Sequence, residues 1–358
     1  MKITVLGAGN GALATAFDWA QHGHDVALWA PPEFAAALEP VVAAGGLTAY
    51  GELTGTVPLA SVGTDVGAAL AGAELVFAVG PAYATAPVAR AVREHLTPEQ
   101  TVVVNPGSCA GAVLFKHTLG VELTSPERRV AETSTLPYAV RATGPAEITV
   151  YHRLTDGIFV AGLPRAITAE VAAQLASVWP GIRAADSVLH TTLQNGNPVI
   201  HPAVTLLNAA LIERTGGQFL FYEEGVTPAV GRLMQGVDKE RMDLAAALGV
   251  QILSEPALGR RQGYMTVANY DIGYSTAPGF AGISAQPQLD HRYLHEDVGY
   301  GLVLFSDLGR RLGVTTPTID AVIQIASVVM GRDYRAEAAR TLDTLGLGGY
   351  DADALRAL

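Results

Sequence analysis

A single cysteine, Cys109, stands in 358 residues. That excludes an internal disulfide and a cysteine-based zinc site, and it fits the cytoplasm as compartment. Charge is scarce as well: 16% of residues are charged against 49% hydrophobic, and the net charge is −11. A chain this apolar builds a core rather than staying disordered. Its acidic balance excludes nucleic acid and anionic membrane as partners, since both need clustered Lys and Arg. Long apolar runs are missing too. Mean hydropathy is +0.27, yet the most apolar region, residues 67–89, is rich in Ala and Gly and is interrupted by Glu74 and Pro81. It reads as a helix end, a turn and a buried parallel strand rather than a membrane span. No cleavage-site pattern precedes the first motif, so no signal peptide is expected.

What is present begins at once. In "KITVLGAGNGALATAFDWAQHGHDVALWA", Ile3 to Leu6 reads as a buried strand, residues 11–22 as a helix and Asp25 to Trp29 as a second strand. Between strand and helix lies Gly7-Ala8-Gly9-Asn10-Gly11-Ala12, which fits G-x-G-x-x-G/A. Gly7 permits the tight turn, Gly9 lets the backbone approach a pyrophosphate, and Ala12 lets helix and strand pack closely. The helix N-terminus offers free N–H groups and a positive dipole to the phosphates. Glycines alone say little; placed strand-turn-helix-strand, they specify a Rossmann dinucleotide-binding domain.

The end of the second strand departs from the NAD pattern, which places Asp or Glu there for the ribose hydroxyls. This chain has Ala30, Pro31 and Pro32, with Glu33 slightly late. From Ile3 to Ala89 it has no Lys or Arg, so a 2′-phosphate would lack a local cation; NAD is favoured, with NADP possible. Further strands are expected within 73–82, 100–108 and 128–141, then in "EITVYHR" and "GIFVAGLP". Gly80-Pro81 and Asn105-Pro106-Gly107 close two of them, where a nicotinamide could approach the sheet edge. Plain strand-to-helix turns explain them nearly as well.

After about residue 185 the strand-like alternation stops, and helices are expected at 188–213, 226–247, 254–269, 296–312 and 317–329. The length suits two domains, 1–185 and 186–358: α/β followed by all-α. Within the first of these helices His190, Gln194, Asn197, His201, Thr205 and Asn208 fall in one narrow sector, while apolar residues take much of the remaining circumference. Such a stripe suits a buried helix walling an interdomain cleft, bent by Pro198 and Pro202. His201 is the acid–base candidate because histidine titrates near neutrality; on this helix alone a core histidine is the plainer account. "HRYLHEDVGYGLV" (291–303) offers Glu296 and Asp297 to orient it, although Asp297 also suits a helix N-cap. No His/Cys/Asp/Glu set has metal-ligand spacing.

Taken together, "GAGNGA", "NPG" (105–107), "NPVIHP" with "LLNA", "YEEGVTPAVG" (222–231) and "RYLHEDVGYGLV" (292–303) carry a resemblance. Over essentially its whole length the chain resembles the opine dehydrogenases, the octopine/nopaline dehydrogenase family, and within it the bacterial N-(carboxyalkyl)amino acid dehydrogenases. The resemblance implies a Rossmann domain, a helical domain and an active site between them. It implies NAD(P)H-dependent condensation of an L-amino acid's amino group with a 2-oxo acid. It maps the family's catalytic pair onto His201 and Asp297, and leaves coenzyme choice in doubt at Ala30. On this reading Asn197 binds nicotinamide or substrate, Arg292 takes a substrate carboxylate with its planar fork, and Tyr222 contacts the amino-acid side chain. The partners expected are small molecules and a second copy in a homodimer. Two rivals stand: a glycerol-3-phosphate or 2-oxo-acid reductase, whose relatives rely on a lysine where this half has only Lys239, and a non-catalytic nucleotide sensor.

Overall fold

The computed structural model describes residues 1–358. The chain divides into two compact units, Met1–Thr191 and Thr192–Leu358. The division falls inside the helix Val188–Gln194.

The first unit is built on twelve strands: β1 (Lys2–Leu6), β2 (Asp25–Trp29), β3 (Gly46–Gly51), β4 (Gly55–Pro58), β5 (Ser61–Gly63), β6 (Leu75–Ala78), β7 (Thr101–Val104), β8 (Arg129–Thr133), β9 (Tyr138–Gly144), β10 (Glu147–Arg153), β11 (Ile158–Leu163) and β12 (Ile182–Ala184). Eight form one sheet in the order β12-β11-β8-β7-β6-β1-β2-β5. From β5 to β8 every pairing is parallel, and β11 then runs antiparallel to β8. Buried on both faces, β6 and β7 consist of LVFA and TVVV, near-continuous apolar runs. The chain winds outward from β1 to β2 and β5, then returns to β6 on the other side of β1. That reversal opens a crevice at the carboxyl ends of β1 and β6, the ligand position in an open α/β sheet.

Residues 46–63 hold three strands that the sequence reading did not anticipate, and the strand expected over 128–141 is two, β8 and β9, with the turn residues Ser134 to Pro137 between them. β3, β4 and β9 join β10 in a second sheet, β4-β3-β10-β9, while β5 and β8 belong to the first. The core under the first helix, Asn10–Gln21, is aromatic: Trp19 meets Phe77 at 5.0 Å and Trp179 at 5.6 Å between ring centroids. Asp18 on that helix is fully buried, accepting from Tyr138 Oη at 2.7 Å and Arg153 Nε at 3.0 Å. Paired in this way, its charge is tolerable in the interior.

The second unit is helical throughout. Its longest helix, Pro228–Ala247, starts on a Thr227 N-cap followed by proline. Asn197–Leu207, Glu255–Arg261, Val303–Leu312 and Pro317–Met330 complete most of the scaffold. Three expectations change here. The helix expected over 188–213 is three helices, Val188–Gln194, Asn197–Leu207 and Ala209–Thr215, broken at Asn195-Gly196 and at Asn208. The helix expected over 254–269 stops at Arg261, short of Gly263 with φ +83°, a backbone conformation that ends helices. The helix expected over 296–312 opens with a π-helical turn, Asp297–Leu302, before Val303. No helix is long and apolar enough to cross a membrane.

Candidate active site

In the first unit, β1 runs into Gly7. A Cβ there would stand 2.3 Å from the Val79 carbonyl oxygen, and φ is +141°. Only glycine lets β1 turn this closely past the end of β6. Ala12 packs beneath, its methyl 3.2 Å from the same point. Gly9 is exposed and has no heavy atom within 4 Å of where its Cβ would be. It caps the helix without a side-chain acceptor, and the first turn carries no acidic residue. The result is an open cradle of free N–H groups at the positive end of a helix dipole. Those features fit a dinucleotide pyrophosphate.

The other sequence-predicted cofactor positions divide. Gly11 needs its missing side chain because Leu136 Cδ2 would lie 2.9 Å from it. Asn10 turns its Oδ1 to accept from Ala142 N at 2.9 Å, tying the loop to β9. Pro81 follows β6, half-buried at the same sheet edge. Ala30 is buried after β2, its N–H donating to Gly63 at 3.3 Å. Asn105 is fully buried with its carboxamide spent on Thr133 Oγ1 (2.7 Å) and Thr15 Oγ1 (3.4 Å). Gly107 is buried where a Cβ would press on Glu132, 2.4 Å from its Cβ. Ala30, Asn105 and Gly107 are thus buried at this edge, Asn105 with its side chain already bonded. Cys109 is buried as well.

In the second unit, the helix Asn197–Leu207 carries the candidate base. Pro198 sits in its first turn, where an N–H has no intrahelical partner, and Pro202 removes only the bond to the Pro198 carbonyl. His201 is 5% exposed and Asp297 4%. His201 Nδ1 donates to Asp297 Oδ2 at 2.8 Å. A carboxylate can only accept, so the neutral ring carries its proton on Nδ1 and keeps the Nε2 lone pair free for exchange. Asp297 begins the π turn and caps nothing. Such turns recur at functional sites because the extra residue re-aims a side chain.

Three aromatic residues enclose this pair. Tyr293 stacks on the imidazole at 3.8 Å and 17° between planes. Phe221 lies 6.3 Å from it, and Tyr222 Oη approaches Nε2 at 3.4 Å. Arg292, beside Tyr293, has a half-exposed side chain and donates to Glu296 Oε2 at 3.2 Å. Asn197, four residues before His201, is half-buried at the first position of the helix. His201, Asp297, Tyr222 and the Arg292–Tyr293 segment thus converge from positions up to 96 residues apart.

The predicted polar stripe does not survive as one face. His190 lies in the first unit, held by Asp186. Gln194 exchanges bonds with the Leu253 backbone at 3.2 and 2.9 Å. Thr205 accepts from Gln286 Nε2, and Asn208 donates to Val204 O and Gly225 O. Of the six, His201 alone is paired with a buried carboxylate. Sequence reasoning also missed Tyr293, whose one signal is its place between Arg292 and two carboxylates. It missed Glu255, buried against Gly196 at the helix break, where a Cβ on that glycine would stand 2.5 Å from Glu255 Cγ. Burial, then Asp238, pushes the Glu255 carboxyl up to about 8, and its Oε2 has no hydrogen-bond partner.

Residues 184–330 match the family described as NAD/NADP octopine/nopaline dehydrogenase, alpha-helical domain. An opine dehydrogenase of Arthrobacter sp. (strain 1C) is 36% identical over 353 residues, covering 98% of this chain and 97% of the relative. Two solved structures share the fold. An octopine dehydrogenase with NADH and L-arginine has a TM-score of 0.80 at 19% identity, covering 100% of this chain and 98% of that one. A yersinopine dehydrogenase with NADP+ has a TM-score of 0.72 at 17% identity, covering 100% and 97%.

Proposed function

This chain belongs to the opine dehydrogenase family, NAD(P)H-dependent oxidoreductases that condense an amino acid with a 2-oxo acid at a CH–NH bond, and from that premise we propose how its residues divide the work. The amine attacks the 2-oxo acid's carbonyl carbon, water leaves, and the resulting C=N bond is reduced. Bound NAD(P)H supplies the hydride for that reduction. His201 Nε2 takes protons from the amine nitrogen as it adds and passes them to the carbonyl oxygen, two in all, so that the oxygen leaves as water. Asp297 fixes the tautomer and offsets the charge of the imidazolium. Arg292 takes a substrate carboxylate, its half-exposed fork already anchored on one side by Glu296. Asn197, one turn before His201, binds nicotinamide or substrate. Gly7 to Ala12 hold the pyrophosphate, with Pro81 at the same edge.

The observation that carries this reading is the buried 2.8 Å bond between His201 and Asp297. The decisive experiment follows NADH absorbance with amino acids and pyruvate, together and apart. Oxidation that needs both supports condensation; oxidation with the 2-oxo acid alone means a simple 2-oxo-acid reductase. NADH is the preferred coenzyme in this account, a cytoplasmic location fits the lone cysteine, and the assembly is a homodimer. Large apolar side chains exposed on the helix Pro317–Met330, Val328 at 70% among them, favour association. Light scattering at micromolar concentration checks it, and a monomer mass removes the dimer.

A further inference from the structure

We propose that Tyr222 is a positioning residue for proton transfer: its hydroxyl holds His201 Nε2 through a hydrogen bond whose direction reverses each time the imidazole gains or loses its proton. The inference rests on His201 as the acid–base group, and it replaces the earlier expectation that Tyr222 touches the amino-acid side chain.

Asp297 occupies Nδ1, so Nε2 is the nitrogen that exchanges protons, and Tyr222 Oη lies 3.4 Å from it. The neutral ring presents a lone pair at Nε2, to which the phenol donates. The imidazolium presents an N–H, which the same oxygen accepts. A hydroxyl serves both states; a carboxylate or an ammonium serves only one. The long distance suits a bond that tightens as the reaction proceeds. Burial, then the neighbouring Tyr293 and Glu255, push the Tyr222 phenol well above its ordinary range, so it keeps its proton. It therefore changes the direction of a bond without adding a charge.

The surroundings hold that hydroxyl in place. Phe280 stacks on the Tyr222 ring at 4.2 Å and 15°, and Tyr264 stacks on Phe280 at 5.0 Å. The turn bearing Tyr222 is stapled to the catalytic helix by Asn208 Nδ2, which donates to Gly225 O at 2.9 Å. Gly225 must be glycine, because a Cβ there would meet Phe221 O at 2.2 Å. Gln286 donates to Thr205 at 3.0 Å on the same helix, and Phe221 N donates to Ile283 O at 2.8 Å. Thr205 and Asn208, two members of the predicted stripe, thus serve to hold the Tyr222 segment against His201.

Tyr222→Phe deletes one oxygen and keeps the stacked ring. The expected result is a kcat lower by about 10- to 100-fold, the range for losing a hydrogen bond to a group charged in the transition state. KM for both substrates and the NADH dissociation constant, read by fluorescence, should stay within about twofold, since binding contacts are untouched. In a His201→Asn background the same change should cost nothing further. In ¹⁵N-histidine NMR, the His201 Nε2 resonance should move in Tyr222→Phe. A raised KM at unchanged kcat would return Tyr222 to the substrate. An unmoved Nε2 resonance, or a full multiplicative loss in the double variant, would overturn the proposal. The NMR arm needs no turnover, so it decides the Tyr222–His201 bond even if the wild-type enzyme fails to condense any amine with a 2-oxo acid.

Discussion

The two units build their sites by opposite means. In the first, the working surface is backbone: Gly7, Gly9 and a helix N-terminus, continuous over six residues, and side chains matter mainly by being absent. In the second, the groups we propose for the chemistry are side chains from three segments, centred on 201, 222 and 292–297, and each depends on neighbours for its orientation. A backbone cradle tolerates little substitution but makes few demands on the rest of the chain. A side-chain constellation needs supports everywhere: Asp297 on Nδ1, Tyr293 on the ring face, Asn208 on the turn behind Tyr222. Variants should therefore separate cleanly, with changes in the first unit moving cofactor affinity and changes in the second moving turnover.

The largest expected effect tests the second half of that contrast. His201→Asn should lower kcat by about 10²-fold or more while NADH affinity stays near wild type. Asp297→Asn should be damaging alone, and the double variant should lose far less than the product of the two, because groups acting as a unit are not additive. A loss of NADH binding in His201→Asn would blur the division between the units. Next, Gly7→Ala should raise the NADH dissociation constant by about tenfold or more, since a Cβ costs roughly 1–2 kcal/mol at a positive φ even before its clash with Val79. Turnover at saturating NADH should recover. If kcat falls at unchanged affinity, the cradle is not where the cofactor is held.

A smaller effect concerns coenzyme choice. The stretch from Ile3 to Ala89 has no Lys or Arg, so kcat/KM should favour NADH over NADPH by roughly tenfold, the value of about one lost charge-assisted contact. An NADPH preference would place neutral donors or distant cations on the 2′-phosphate. The last effect is on stability and leaves the active site untouched. Glu255 keeps its proton in the folded unit up to about 8, against an ordinary 4.5. Between those values the unfolded chain binds fewer protons than the folded one, so stability falls as pH rises. The melting temperature should drop between pH 5 and pH 8 by roughly 10 °C more in the wild type than in Glu255→Gln. Equal drops would mean that Glu255 is ionised in the folded protein.

The same contrast decides how much could be read beforehand. The glycine loop, β1, β2 and their helix were legible because the motif is local and each glycine answers a local requirement. The strands of residues 46–63 were not: they are short and half-exposed, and they are held by pairing, β3 with β10 about 100 residues away, β4 with β3 and β5 with β2. In the helical unit, periodicity ran through Asn195-Gly196 and Asn208 as if the helix were continuous. The breaks are set by tertiary contacts, Glu255 against Gly196 and Asn208 against Gly225, that no period reveals. His201 was a candidate by residue type, with Glu296 and Asp297 both offered to orient it; the resemblance selected Asp297, since nothing in the spacing predicts a 2.8 Å bond. Tyr293 had no comparable signal, and no spacing shows that the Tyr222 hydroxyl lies 3.4 Å from His201 Nε2.

The central claim is that this chain joins an amine to a 2-oxo acid at the expense of NADH, with His201 and Asp297 moving the protons. Its most direct test is NADH consumption by the purified wild-type enzyme, matched mole for mole to the secondary-amine product by mass spectrometry, with His201→Asn beside it. The account predicts one product per NADH, no consumption when either the amino acid or the 2-oxo acid is omitted, and near-total loss in the variant. Consumption with the 2-oxo acid alone, yielding a hydroxy acid, or full turnover without His201, would contradict it.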